Sequence, residues 1–245
     1  MTLREIVRCV LEVVTVGGLA VMYMSRLVVV INSFNGSQAM TWPPSGLTLD
    51  WWRRAFHSAG ARNALSTSVQ VALAATLVAL VLGTLMSIAL QRYRFFGRNS
   101  VNLLVILPIA LPGIVTGIAL NNVFTTFLSG LPIYTLIIGH ATFCIVVVYN
   151  NAIARIRRMG TSREEASSDL GASGWTTFRL VTCPMMRSAL VAGVILAFGL
   201  SFDEIIVTTF TAGPGITTLP IWIFQNLFRP TQAPIVNVVA AFLVV

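Results

Sequence analysis

Asp203 and Glu204 stand side by side in sequence that is otherwise apolar. An ionised carboxylate in hydrocarbon is expensive, so the two acids are expected to face a cavity or a partner. The plainer alternative is that they are exposed at a membrane interface, some way before Gly213. Neighbouring residues on a helix point about 100° apart, so the two are not expected to face the same cavity. Asp203 is the stronger candidate.

A second stretch, Ser162 to Pro184, is too polar to sit in lipid, and apolar runs flank it. Ser162 and Glu165 have capping-box spacing, in which the hydroxyl and the carboxylate each satisfy the other's amide. Glu164, Glu165 and Asp169 would then favour the positive end of a short helix. Gly171 suits a left-handed helix stop. A second short amphipathic piece carries Trp175, Phe178 and Val181, and Pro184 is expected to close it. Physics alone reads this as a helical hairpin between membrane spans.

Other chemistry is excluded by what the chain lacks. All 16 basic residues are Arg. Without Lys there is neither a P-loop lysine nor Schiff-base chemistry, so the chain is not itself an ordinary P-loop ATPase. Cys9, Cys144 and Cys183 have no CxxC spacing and read as small hydrophobes, neither disulfides nor metal ligands. His140 sits in an apolar run and reads as a hydrogen-bonded packing residue. His57 has no ligand spacing to it. No catalytic residue, metal or cofactor is expected.

These residues must be positioned by helices in a membrane. The chain is 56% hydrophobic and 10% charged, with mean hydropathy +0.84, far from soluble usage. Bilayers admit only helices or closed barrels, and the apolar runs are continuous, not alternating. The fold class is therefore all-α and polytopic, a single domain over 1–245. The spans are expected at Ile6–Ile31, Leu65–Leu90, Val101–Phe127, Ile133–Ile153 and Ser188 to about Thr211. A sixth, incomplete span begins at Ile235, since 11 residues remain to Val245 and a crossing needs about 20. Arg8 and Glu12, four apart, are spaced to pair. Ala72, Ala74, Ala75, Ala79 and Gly83 permit close helix packing in the second span. Pro108 and Pro112 are expected to kink the third.

The net charge of +8 is explained by arginines in loops on one side of the membrane, with no need for nucleic acid. Placing the N-terminus, the 91–100 loop and the 155–187 segment together collects eleven Arg against four on the other face. That puts the N-terminus and the Ser162–Pro184 stretch in the cytoplasm.

Glu165-Ala166-Ser167, Gly171 and Val181-x-Cys183-Pro184 are separated by three and nine residues. This pattern resembles the EAA loop of permease subunits of binding-protein-dependent ABC importers, with Ser167, Val181 and Cys183 as departures. In that family the loop forms a coupling helix that docks on a separate ATPase subunit. The resemblance thus assigns Glu165, Ala166, Gly171 and Pro184 to coupling. Asn32-Ser33-Phe34-Asn35, Arg92-Tyr93-Arg94-Phe95, His140-Ala141-Thr142-Phe143-Cys144, Ser201-Phe202-Asp203-Glu204 and Leu219-Pro220 are similar to the spermidine/putrescine branch. There an acidic pair, usually Asp-Asp, occupies the place of Asp203 and Glu204. The resemblance implies a type I importer in a bacterial membrane. Its partners are a second permease, two ATPase copies, an extracytoplasmic solute-binding protein and a small cationic substrate. The alternatives are the same fold carrying another solute, or a secondary transporter or channel subunit. A membrane enzyme is disfavoured because no catalytic constellation is present.

Overall fold

Every long apolar run is helical in the computed structural model, which describes residues 3–38 and 42–244. In chain order the helices are α1 (Leu3–Ser33), α2 (Asp50–His57), α3 (Ala59–Arg92), α4 (Arg98–Ala110), α5 (Gly113–Phe127) and α6 (Ile133–Met159). There follow α7 (Ser162–Asp169), α8 (Gly174–Thr177), a π-helical turn Phe178–Thr182, α9 (Cys183–Phe202), α10 (Ile206–Thr211), α11 (Leu219–Leu227) and α12 (Ala233–Val244). Four described stretches are long and apolar enough to cross a membrane, and the α4–α5 pair makes five if it is one broken span. The last run is the shorter helix α12, of 12 residues; Val245 lies outside the described residues.

The chain divides into two compact units, Met1–Asn63 with Trp222–Val245, and Ala64–Ile221. In the first, α12 packs along α1 and against α2. The Trp51 indole donates to the Asn35 carbonyl at 3.0 Å, and Phe34 stacks on Trp52. These contacts order the entry to α2. Arg8 and Glu12 do pair, at 2.9 Å, but both are exposed, so the pair adds little stability.

In the second unit α6 is the central helix and packs most extensively along α9. A Cβ on Gly83 of α3 would lie 2.9 Å from the Ile145 carbonyl oxygen, and one on Gly193 of α9 would lie 3.3 Å from Val148 Cα. Without those side chains, α3 and α9 both approach α6 at Val148. Ala72, Ala75 and Ala79 are fully buried. Small residues bring the backbones together here because lipid offers no hydrophobic force between helices.

Two expected spans are broken. Val101–Phe127 is not one kinked helix: α4 and α5 meet at 107°. Leu111 is extended (φ −83°, ψ 144°), as a residue before proline prefers, and Pro112 has no amide to continue the helix. The expected span from Ser188 to Thr211 lies in a helix that already begins at Gly174, and it leaves helical geometry at Asp203–Glu204–Ile205 before α10. α10 packs on α5 and α6. A Cβ on Gly117 would meet the Phe210 ring at 2.7 Å, so α10 rests where α5 has no side chain.

Candidate functional site

The break between α9 and α10 is held by α6. His140 Nδ1 lies 2.8 Å from Ser201 Oγ at the end of α9, and Nε2 lies 2.9 Å from Thr208 Oγ1 on α10. Thr208 donates its hydroxyl to the Glu204 carbonyl at 2.7 Å. Its oxygen is therefore left to accept from Nε2–H, and Nδ1 accepts from Ser201. All three side chains are buried. His140 is the hydrogen-bonded packing residue that its setting implied. The hydroxyls at Ser201 and Thr208, which sequence reasoning missed, are what it holds.

Asp203 and Glu204 thus do not lie on a continuous helix. Asp203 caps α9, with its amide donating to the Gly199 carbonyl at 3.1 Å, and its side chain is exposed. Glu204 is half-buried, and its Oε1 accepts the Val207 amide at 2.9 Å, starting α10. The two acids line an open pocket of about 470 Å³ with Leu196 and Leu200. Glu204 alone also lines a smaller cavity of about 140 Å³, with Pro108, Thr116 and Phe143 in the elbow between α4 and α5. Among the described residues, no basic side chain comes within ion-pair distance of Glu204.

The Ser162–Pro184 stretch forms a separate patch. α7 ends in a paired stop: the Ala172 amide reaches the Ser167 carbonyl at 3.1 Å, and Gly171 reaches Ser168 at 2.9 Å. Gly171 has φ +79°, the left-handed conformation expected of it, and a Cβ there would meet nothing within 4 Å. Any substitution cost is therefore backbone strain alone. Gly171→Val is expected to destabilise this helix end by about 1–2 kcal/mol. The check is ATPase copurification together with uptake; normal values for both would show that the stop is dispensable.

The start of α7 corrects the expected capping box. Thr161, not Ser162, precedes the helix, its carbonyl accepting from the amides of Glu164 and Glu165 at 2.9 and 3.0 Å. Its side chain makes no cap bond. The acid in box position is then Glu164, whose carboxylate does not reach back. It is held by Arg92 at 3.0 Å and by the Thr182 hydroxyl at 2.9 Å. Glu165 is exposed. Glu165→Ala is accordingly expected to change α7 stability by less than about 0.5 kcal/mol.

Pro184 does not close a short piece either. α8, the π-helical turn and α9 run continuously from Gly174 to Phe202, with Pro184 in the first turn of α9. Proline removes one helical amide and crowds the carbonyl four residues back; the wider π-helical turn lies just where that crowding falls. Glu165, Ala166, Gly171 and Pro184 are all exposed. Beside them Leu170 and Trp175 are 90% and 69% exposed, apolar groups on a stretch too polar for lipid.

The family described as binding-protein-dependent transport system inner membrane component matches residues 79–245. The chain is 32% identical over 234 residues to the putrescine transport system permease protein PotI of Escherichia coli K12, covering 92% of this chain and 82% of that protein. It is 32% identical over 227 residues to the spermidine/putrescine transport system permease protein PotC of Haemophilus influenzae, covering 92% and 87%. Its fold is that of a solved bacterial ABC transporter involved in import of the acidic polysaccharide alginate. The TM-score there is 0.75, with 13% identity, over 99% of this chain and 93% of that one. Membership sets aside the secondary transporter and the channel. The chain belongs to the binding-protein-dependent inner membrane components: it is a multi-pass permease of an ABC importer, not a catalytic subunit.

Proposed function

We propose that this permease imports polyamines of the putrescine and spermidine kind, with Glu204 as the principal cation-attracting group of its path. The observation that carries the reading is a half-buried carboxylate without a cationic neighbour among the described residues, facing two cavities. A charge left that way in a membrane protein is costly unless a cation visits it. Phe143 and the Thr116 hydroxyl, in the smaller cavity, suit an ammonium group by ring face and by lone pair. The names of the PotI and PotC relatives support the same substrate class. Asp203, exposed at the mouth, serves as an outer attractor. A flexible, multiply charged amine needs several separated acceptors, and a second permease supplies the others.

In the same reading α7 and the turn at Gly171 form the coupling element. Glu165, Ala166, Gly171 and the exposed Leu170 and Trp175 meet one of two ATPase copies, and Pro184 sets the continuation into α9. The arginine asymmetry supports a cytoplasmic position for this element and the N-terminus, with a solute-binding protein delivering on the opposite face. Neither transport nor ATP hydrolysis is expected of the single chain alone.

The test is uptake of labelled putrescine and spermidine into vesicles holding the copurified complex, with competition by unlabelled diamines and by a diol of matched length. Diamines are expected to compete and the diol is not. Preference for an anion or a sugar would overturn the polyamine assignment and leave the permease standing.

A further inference from the structure

The two acids at the start of α7 have divided environments. Glu165 is exposed, whereas the Glu164 side chain is 20% exposed against an Arg92 side chain that is 18% exposed. Arg92 is the last residue of α3, 72 positions earlier in the chain. One guanidinium nitrogen, Nη2, donates to Glu164 Oε1 at 3.0 Å and to the Gly160 carbonyl at 3.0 Å. Thr182, in the π-helical turn, donates its hydroxyl to the same Glu164 oxygen at 2.9 Å. Arg92 Nε is buried without a partner. The end of α3, the end of α6, α7 and the entry to α9 therefore converge on one half-buried ion pair.

Chain connectivity ties α7 only to α6 before it and to α8 and α9 after it. The ion pair adds a third tie, to α3, which has no sequence link to this segment. Farther along, α3 touches α6 through Gly83 at Ile145 and Val148. A push on α7 that reached only its flanking helices would separate Glu164 from Arg92 and leave a half-buried charge without its partner, which is unfavourable. The three helices are thus obliged to move with α7.

We infer that Arg92 and Glu164 are positioning residues, a strut that carries displacement of α7 into α3. This rests on the reading of α7 as the ATPase-docking element. Arg92→Lys keeps the charge and a single nitrogen able to donate to Glu164 and Gly160 together, as Nη2 does here.

The experiment uses the full complex in vesicles. It reads the ATPase rate with and without the solute-binding protein, and complex abundance alongside. Arg92→Gln and Glu164→Gln are each expected to cut the stimulation by the binding protein about fivefold while the complex still assembles. The double variant is expected to be no worse than either single one, since both remove the same tie. Arg92→Lys should recover most of the stimulation. A merely structural role would lower abundance and leave the stimulation ratio of the surviving complex intact, and that result would overturn the strut. So would additive losses in the double variant. Gly171→Val is run in parallel: if it uncouples and the strut variants do not, docking at α7 stands and the strut is wrong. If neither uncouples, both fall.

Discussion

Glu204→Gln is expected to lower polyamine uptake by about 10–100-fold, the equivalent of one charged hydrogen bond or ion pair worth roughly 1.5–3 kcal/mol. The amide side chain keeps an oxygen for the Val207 amide, which Glu204 Oε1 now accepts at 2.9 Å. The start of α10 should therefore survive and the complex should assemble in normal amount. What disappears is the only charge facing the 140 Å³ cavity between α4 and α5 among its lining residues. Asp203→Asn, at an exposed position, should cost no more than about threefold, because solvent screens that carboxylate. Uptake of labelled putrescine in vesicles, normalised to complex abundance, measures both. Unchanged uptake in Glu204→Gln would remove the acid from the path. A larger loss from Asp203→Asn than from Glu204→Gln would restore the order that the sequence alone favours.

The proposed change of order rests on a break in the helix that local reading does not reach. The positive φ of Gly171, the small-residue face at Ala72, Ala75, Ala79 and Gly83, and the Arg8–Glu12 pair are properties of residues close in sequence. All were legible. The break at Asp203 was not, because no glycine or proline marks it. Its fasteners are on another helix, His140 being 61 residues from Ser201 and 68 from Thr208. The expected Ser162–Glu165 box failed because Thr161, not Ser162, precedes α7. Thr161 and Glu164 have the required spacing, but Arg92, remote in sequence, takes the carboxylate. Pro112 did announce a disturbance. Whether a proline kinks a helix or turns it through 107° depends on what fills the angle, and α10, resting against Gly117, is set far along the chain. Membership of the permease family was legible because its spaced pattern lies within one short segment.

His140→Ala is expected to be strongly disruptive within Ala64–Ile221. It removes two buried hydrogen bonds, at 2.8 and 2.9 Å, each worth about 1 kcal/mol, and opens a void in a dense core. The total, about 3 kcal/mol, corresponds to a melting shift of roughly 6–12 °C for a chain of this size. The consequence for transport is indirect. Ser201 and Thr208 hold the two sides of the break through His140, and Thr208 alone ties the Glu204 carbonyl. With the imidazole gone, α10 is free to shift and carry Glu204 away from its cavity. Thr208→Val provides the partner test, since it is nearly isosteric and deletes both the imidazole's acceptor and the bond to Glu204. Each single variant should lower both melting temperature and uptake, and the double variant should lose less than the sum, because the two residues share one bond. Melting of the detergent-purified complex and putrescine uptake give the two readings. Strictly additive losses, or full uptake in His140→Ala, would mean that the break holds its shape without the imidazole.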